Sequence, residues 1–398
     1  MSTWVTWSFG FILAVCTVPV TVFFLQIWRA WTRPELAQAV AAPVLPINAR
    51  VTVLIPAHNE EAGLADTLTS LLAGGHANIK LLVVADNCTD GTADIARGMG
   101  VEVLVRHNPE LRGKGYALQF GLDHLSLNPP DVVLVVDADC SAAAAQLGHL
   151  AADCLAQQVP VQSVYLMHAR PESTVSAKIS EFAWLVKTYV RPLGWSSLMG
   201  GCQLLGSGMA FPWHVLATRD LASGHLVEDL KLTVELAKDR VPVHFCPSVR
   251  IDSYFPTLVQ SREVQSSRWE HGHIGMIIHE FPKLMWHALR HGNKQTLAVG
   301  LDTLVPPLSL LVLIVCTLMG TGWALALLTD VPAWYAKWAT LLVALIGIAV
   351  VLAWSRWARD ILTARELWQI PGFVLSKVGI YRRFVTKRET DWKRADRD

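Results

Sequence analysis

The chain has 398 residues, and its 34 Lys and Arg nearly balance 33 Asp and Glu, so a formal net charge of +1 points to no nucleic-acid partner. Hydrophobic residues make up 52% and charged residues 17%, with 16 Trp, which is oily for a soluble enzyme and points to membrane segments. The seven cysteines are scattered, odd in number and form no C-x-x-C, which argues against a disulfide framework or a zinc site and reads as reduced thiols.

Met1 to Trp28 carries no charge, and about 20 apolar residues span a bilayer. A first span is expected at 7–27; the run is too long, and too poor in N-terminal positive charge, for a signal peptide. Arg29 and Arg33 follow at once, which assigns that end to the cytoplasm and the N-terminus to the outside. Residues 34–50, rich in Ala and Pro, read as a linker. Val51 to Ile55 predicts a strand ending at Pro56-Ala57-His58-Asn59-Glu60-Glu61, then a helix over 63–73. A second strand, 79–85, ends at Asp86-Asn87-Cys88-Thr89-Asp90-Gly91; a helix over 92–100 and a strand over 101–105 follow. Next come a glycine-flanked loop, Arg112-Gly113-Lys114-Gly115, and a helix over 116–125. Val132 to Val136 is an uncharged, mostly β-branched run that meets Asp137-Ala138-Asp139, as a strand buried on both faces would. Alternating strands and helices predict an α/β unit with a mostly parallel sheet and helices on both faces.

Ligands of such sheets bind beyond the carboxyl ends of the strands, where these polar motifs fall. Asp137 and Asp139, two apart on an extended backbone, face the same way, and hard oxygen ligands suit Mg²⁺ or Mn²⁺. Asp86 is suited to accept a hydrogen bond from a base or ribose, and Arg112 and Lys114 suit a diphosphate. Each motif alone also reads as a turn, a cap or a solvated loop; their order along one α/β unit makes coincidence the weaker reading.

Residues 200–208 form a glycine-rich stretch read as flexible. Val227-Glu228-Asp229 leads into a helix over 231–238, where carboxylates also serve as ordinary caps. Gln265, Arg268 and Trp269, at helical spacing, lie on one side of a helix. The stretches 268–290 and 367–385 mix aromatic, apolar and basic residues as membrane-surface helices do. Between them, 303–329 and 334–354 are the second and third spans, and Arg356 and Arg359 mark a second return to the cytoplasm. The expected organisation is a span (1–33), a linker (34–50), a cytoplasmic catalytic unit (51–255), interface helices (256–297), two spans (298–355), and an interface helix with a charged tail (356–398).

The set P-A-H-N-E (56–60), D-N-C-T-D-G-T (86–92), R-G-K-G (112–115), D-A-D (137–139), V-E-D (227–229) and Q-S-S-R-W (265–269) resembles the membrane-integrated inverting glycosyltransferases of family 2. That family includes cellulose, chitin and hyaluronan synthases, ceramide glucosyltransferase and bacterial exopolysaccharide enzymes. The resemblance covers about 50–270 and implies a GT-A fold. It implies that Pro56, Ala57, Glu60 and Asp86 hold the nucleoside, usually uridine, with Lys114 near the base or diphosphate. Asp137 would contact the ribose or diphosphate, and Asp139 would ligate Mg²⁺ or Mn²⁺. Asp229 would be the general base supported by Glu228, with Gln265, Arg268 and Trp269 over the diphosphate and acceptor mouth. Val227 stands where the family usually has Thr, no F-F-C-G-S-like acceptor motif is clear beyond Leu205-Gly206-Ser207-Gly208, and Glu270-His271-Gly272-His273 has no role assigned from physics.

The implied function is transfer of a sugar from a nucleotide sugar to a lipid-linked or membrane-associated glycan acceptor, in the inner membrane, with lipids around it and polysaccharide export proteins as partners. Three spans enclose little, which favours this over a self-contained processive polysaccharide synthase. A nucleotidyltransferase would release pyrophosphate instead of a nucleoside diphosphate. A silent membrane scaffold would have no need of Asp139, Asp229 and Arg268 together.

Overall fold

The computed structural model describes residues 2–37, 43–73 and 78–386; part of the expected linker and the charged tail beyond 386 lie outside the described residues. Seven strands form one sheet: β1 (Val51–Ala57), β2 (Ile79–Asp86), β3 (Glu102–Arg106), β4 (Val132–Val135), β5 (Val161–His168), β6 (Met209–Pro212) and β7 (His244–Tyr254), in the order β3-β2-β1-β4-β6-β5-β7. β1 pairs in parallel with both β2 and β4, Val51 standing opposite Ile79 and Val132, whereas β6 runs antiparallel to β4 and β5. Helices α2 (Leu64–Leu72), α3 (Thr92–Gly98), α4 (Lys114–Leu125) and α5 (Ala144–Gln157) follow the first four strands, as the alternation predicts.

The central strands are buried on both faces, and their two side-chain sets feed different cores. Val51, Val53 and Ile55 face Leu64, Leu68 and Leu147 of α2 and α5. Leu54, Leu82 and Val84 face Leu118 and Leu122 of α4, in a core that continues into the apolar helices. Between β5 and β6 lie α6 (Val175–Leu185), a π-helical turn (Val186–Val190) and α7 (Arg191–Met199). After β6 come α8 (Trp213–Leu216) and α9 (Glu228–Lys238).

Three helices are long and apolar enough to cross a membrane: α1 (Ser2–Thr32), α13 (Leu308–Leu328) and α14 (Trp334–Trp357), close to the expected spans. They pack together, Phe9 meeting Tyr335 edge to face at 6.2 Å, and leave Trp4, Phe11, Leu327 and Val351 exposed on the outside. The stretch 268–290 comprises the end of α10 (Val259–His279) and α11 (Phe281–His291), followed by α12 (Lys294–Thr303). The break is at Glu280-Phe281-Pro282, because Pro cannot continue a helix hydrogen-bond ladder. Beyond α14, a 3₁₀ turn (Glu366–Gln369), α15 (Ile370–Ser376) and α16 (Val378–Thr386) return to α10.

A buried polar triad ties α1 to this unit. Gln26 Nε2 donates to Asp302 Oδ1 at 2.7 Å, while Arg191 donates to Gln26 Oε1 at 2.7 Å and to Asp302 Oδ1 at 2.8 Å. Beside it, a Cβ at Gly194 would overlap the Gln26 carbonyl oxygen, so only glycine lets α7 lie flush on α1. Asp302→Ala would leave the Arg191 charge uncompensated in a site where both side chains are 11% exposed. A loss of about 3–5 kcal/mol is expected for removing one partner of a buried ion pair. Thermal unfolding of the detergent-purified variant checks this, with a lowered midpoint expected.

Candidate active site

β1 has β2 on one side and β4 on the other, so the chain winds away from it in two directions, and the crevice beyond its carboxyl end is where such sheets bind ligands. A cavity occupies that crevice. Pro56 and Ala57 line it from β1 and Glu60 from the loop after it, Asp86 from β2, Asp137 and Asp139 from the turn after β4, Lys114 from α4, and Gln265 and Arg268 from α10. The expected residues thus meet in one place, apart from Glu228, Asp229 and Trp269, which lie next door.

The loops are cross-braced by their own polar groups. The Glu60 amide donates to Thr92 Oγ1 at 2.8 Å, and the Gly91 amide to Glu61 Oε2 at 3.0 Å. Asp86 is buried and bound through Oδ1 by Arg106 and by Asn87 at 3.0 Å, which leaves Oδ2 able to accept. Arg106 is a residue that sequence reasoning missed; it ends β3 opposite Asp86.

Lys114 is not on a loop, as expected, but is the first residue of α4. A cation there opposes the helix dipole. Its neighbours compensate: Nζ pairs with Asp137 Oδ1, donates to the Gly206 carbonyl at 2.7 Å, and lies 3.9 Å from Glu228. Burial alone would lower its pKa, but Asp137 and Glu228 outweigh burial and raise it, so it stays charged. The stretch 200–208 is therefore not a loose loop. Gly206 adopts φ +91°, which turns its carbonyl onto Lys114, and a Cβ there would meet Asp229 Oδ2 at 3.4 Å. Ser207 Oγ accepts from the Asp137 amide at 3.1 Å and donates to Cys140 Sγ at 3.2 Å.

β4 ends at Val135, before the acidic pair, so strand alternation is not what brings Asp137 and Asp139 together. A turn does, closed by the Cys140 amide donating to the Asp137 carbonyl at 3.0 Å. One ligand atom each from Asp137, Asp139 and Cys140 lie within 4.8 Å of one another. Burial, with Asp137 adding to it, pushes the Cys140 thiol up to about 12. The usable donors are carboxylate oxygens, one of them, Asp139 Oδ2, oriented by Ser253 Oγ at 2.8 Å, and that set fits Mg²⁺ or Mn²⁺.

A second cavity adjoins the first and shares Lys114, Asp137 and Arg268 with it. Glu228 and Asp229 enter it from the first turn of α9, which starts three residues before the expected helix. Asp229 Oδ1 accepts from the Leu230 amide at 2.8 Å. Burial pushes Glu228 up to about 7; Lys114 pulls against this and Asp229 adds to it. Asp229 is raised as well, chiefly by burial, against the pull of the Leu230 amide and of Lys187. The opposite wall is Trp269 on Trp184, rings 4.7 Å apart, with Lys187 and Gln203 beside them. Trp184, Lys187 and Gln203 were missed from sequence; the one available signal was a single Lys in the apolar run Phe182 to Val190.

The segment Glu270-His271-Gly272-His273 acquires a physical account. Glu270 pairs with Lys377 at 3.1 Å, and His271 Nε2 donates to the Ile380 carbonyl at 3.0 Å, so α15 and α16 are fastened to α10. His273 Nε2 donates to the Thr303 carbonyl at 2.9 Å, and a Cβ at Gly272 would press on Val227. Val227, in place of a hydroxyl, packs against α10 there.

A doubly wound, mostly parallel sheet with an acidic turn at its switch point defines a GT-A glycosyltransferase fold. A mannosyltransferase from Pyrobaculum calidifontis, solved with GDP-Man and Mn²⁺, shares it, with a TM-score of 0.52 over 86% of this chain and 99% of that one at 19% identity. Residues 49–272 match the family described as Glycosyltransferase like family 2, and the chain belongs to that family. An uncharacterized glycosyltransferase of Mycobacterium tuberculosis is 40% identical over 103 residues, which are 26% of this chain and 43% of that relative's length. Glycosyltransferase AglJ of Haloferax volcanii is 32% identical over 96 residues, 24% of this chain and 29% of that relative. The chain thus spans less than half the length of these relatives.

The oxygen donor set yields a direct prediction. Electron paramagnetic resonance of free Mn²⁺, titrated with the full chain and a nucleoside diphosphate, should show binding that Asp139→Asn weakens by at least about tenfold. Cys140→Ser should retain binding, because hard ions such as Mn²⁺ take oxygen ligands in preference to sulfur.

Proposed function

We propose that the chain transfers a sugar from a nucleoside diphosphate donor to a hydroxyl of a lipid-linked or membrane-associated glycan acceptor, with inversion at the anomeric carbon. The observation that carries this reading is the pair of cavities meeting at Asp137, Lys114 and Arg268. One lies at the nucleotide position of the fold; the other holds two carboxylates whose pKa values are raised.

In this reading Pro56, Ala57, Glu60 and Asp86 seat the nucleoside, and Asp137 and Lys114 sit at its ribose and diphosphate. Asp139 holds Mg²⁺ or Mn²⁺; when bound, such an ion supplies positive charge beside the leaving diphosphate. Arg268 and Gln265 cover the diphosphate from α10, and Trp269 offers its ring to the acceptor. An acceptor hydroxyl is a poor nucleophile, so Asp229 takes its proton as the new bond forms, and Glu228 tunes Asp229 through their shared charge. A uridine donor is the first choice from the motifs. The Pyrobaculum mannosyltransferase was solved with GDP-Man, so a donor screen includes guanosine sugars. The arginines at 29, 33, 356 and 359 support a cytoplasmic catalytic unit on the inner membrane with the N-terminus outside.

The test is incubation of purified enzyme with labelled nucleotide sugars and lipid extract. Release of free nucleoside diphosphate with a single added sugar supports the reading; pyrophosphate release, or long polymer from the isolated protein, contradicts it. Asp229→Asn should retain nucleotide and metal binding and lower transfer by about 10²–10⁴-fold, the usual worth of a positioned base. The pH dependence follows from the raised carboxyls: a protonated base accepts nothing, and burial raises Asp229, so the rate should climb with pH above the ordinary carboxylate range, with Glu228, raised to about 7, losing its own proton along the same limb. Glu228→Gln should shift or remove that limb, read from initial rates across pH.

A further inference from the structure

Lys187 is the charge that the reading above leaves unused. It sits in the π-helical turn Val186–Val190, a widened helix geometry that recurs at functional sites. Its side chain lines the second cavity with Asp229, Trp269 and Gln203. Among the described residues its ammonium has no hydrogen bond or ion pair; its one close partner is the Trp184 ring, 5.0 Å from Nζ to centroid.

The charged groups around it make their hydrogen bonds to other partners, although Asp229 still attracts Lys187 through space. Asp302 is held by Arg191 and Gln26, Glu270 by Lys377 and Ser266, and Asp229 Oδ1 by the Leu230 amide. Lys114, in the same cavity, already has Asp137. His273, pushed down to about 3 by burial with Lys187 and Arg191 adding, stays neutral against Thr303. Burial likewise holds Lys187 below its ordinary value, by more than the attraction of Asp229 offsets. A bound anion would recover that cost. The turn rests on α1, and α7 lies flush against the same helix. The cavity is therefore next to the candidate spans, where an amphiphile presents its head group.

We propose that Lys187 is the acceptor-side recognition cation, selecting an amphiphile whose head group carries a phosphate near the hydroxyl that is glycosylated. The proposal rests on the second cavity being the acceptor side. Lysine acts here as a point charge for phosphate, and the Trp184–Trp269 wall takes the apolar face of the neighbouring ring.

The experiment uses the full chain in phosphatidylcholine nanodiscs, with empty nanodiscs as blank, and isothermal titration with n-decyl phosphate and with n-decyl β-glucoside. UDP and GDP with Mn²⁺ are titrated in parallel. Lys187→Met should weaken decyl phosphate by about tenfold or more, as loss of a charge-assisted hydrogen bond does, and Lys187→Arg should restore most of it. Decyl glucoside and the nucleotide should change far less, which also shows that the variant is folded. Equal losses for both amphiphiles, or none for decyl phosphate with nucleotide binding intact, overturn the role of Lys187 and leave the donor reading standing. A wild-type chain that binds neither UDP nor GDP overturns the donor reading and this inference with it.

Discussion

Four carboxylates, Asp137, Asp139, Glu228 and Asp229, line two joined cavities, and their mutual repulsion is the constraint that the surrounding structure answers. Lys114 is the centre of that answer. It pairs with Asp137, stands near Glu228, and is held in place by a glycine carbonyl that a side chain at Gly206 would disturb. The balance is incomplete: Glu228 and Asp229 remain raised, because burial costs their charge more than one shared ammonium returns. In the proposed transfer that imbalance has a chemical use, since a carboxyl raised towards neutrality exchanges protons at working pH.

The second constraint is mechanical. The sheet unit is joined to its apolar helices by directional contacts. The Arg191–Gln26–Asp302 triad makes a largely buried, hydrogen-bonded contact between α1, α7 and α12. Purely apolar packing would hold these helices together with less register, because dispersion contacts are non-directional. On the other side, α10 carries Gln265, Arg268 and Trp269 over the cavities. It is fastened to α15 and α16 by Glu270–Lys377 and His271–Ile380. The helices beyond α14 thus bear on the residues at the cavity mouth, through groups whose spacing in the chain exceeds one hundred residues.

The first half of the catalytic unit was legible because its signals are local. Each strand is a short apolar run ended by a polar motif, and parallel pairing of β1 with β2 and β4 follows from helical crossovers. Asp86, Asp137 and Asp139 are legible because the chain places them at or just past strand ends, and Lys114 because glycines flank it; all four line one cavity. The reason given for the acidic pair was incomplete: a turn after Val135, not extended alternation, brings the two carboxylates together. Residues 200–208 looked loose because glycine reads as freedom in sequence. Their order comes from Lys114, Gln162 and Ser207, which are far away in the chain or gain their partners only on folding.

What the sequence by itself determined is therefore the sheet with its polar strand ends, the three apolar helices and the family to which the chain belongs. Periodicity, apolar length and motif order are written in consecutive residues. Only the tertiary structure decided which charges neutralise one another: Arg106 on Asp86, Lys114 on Asp137, Arg191 on Asp302, while Lys187 has a ring contact but no ion pair among the described residues. The physical reason is that ion pairing depends on distance and burial through space, and the partners come from elements separated by tens to hundreds of residues.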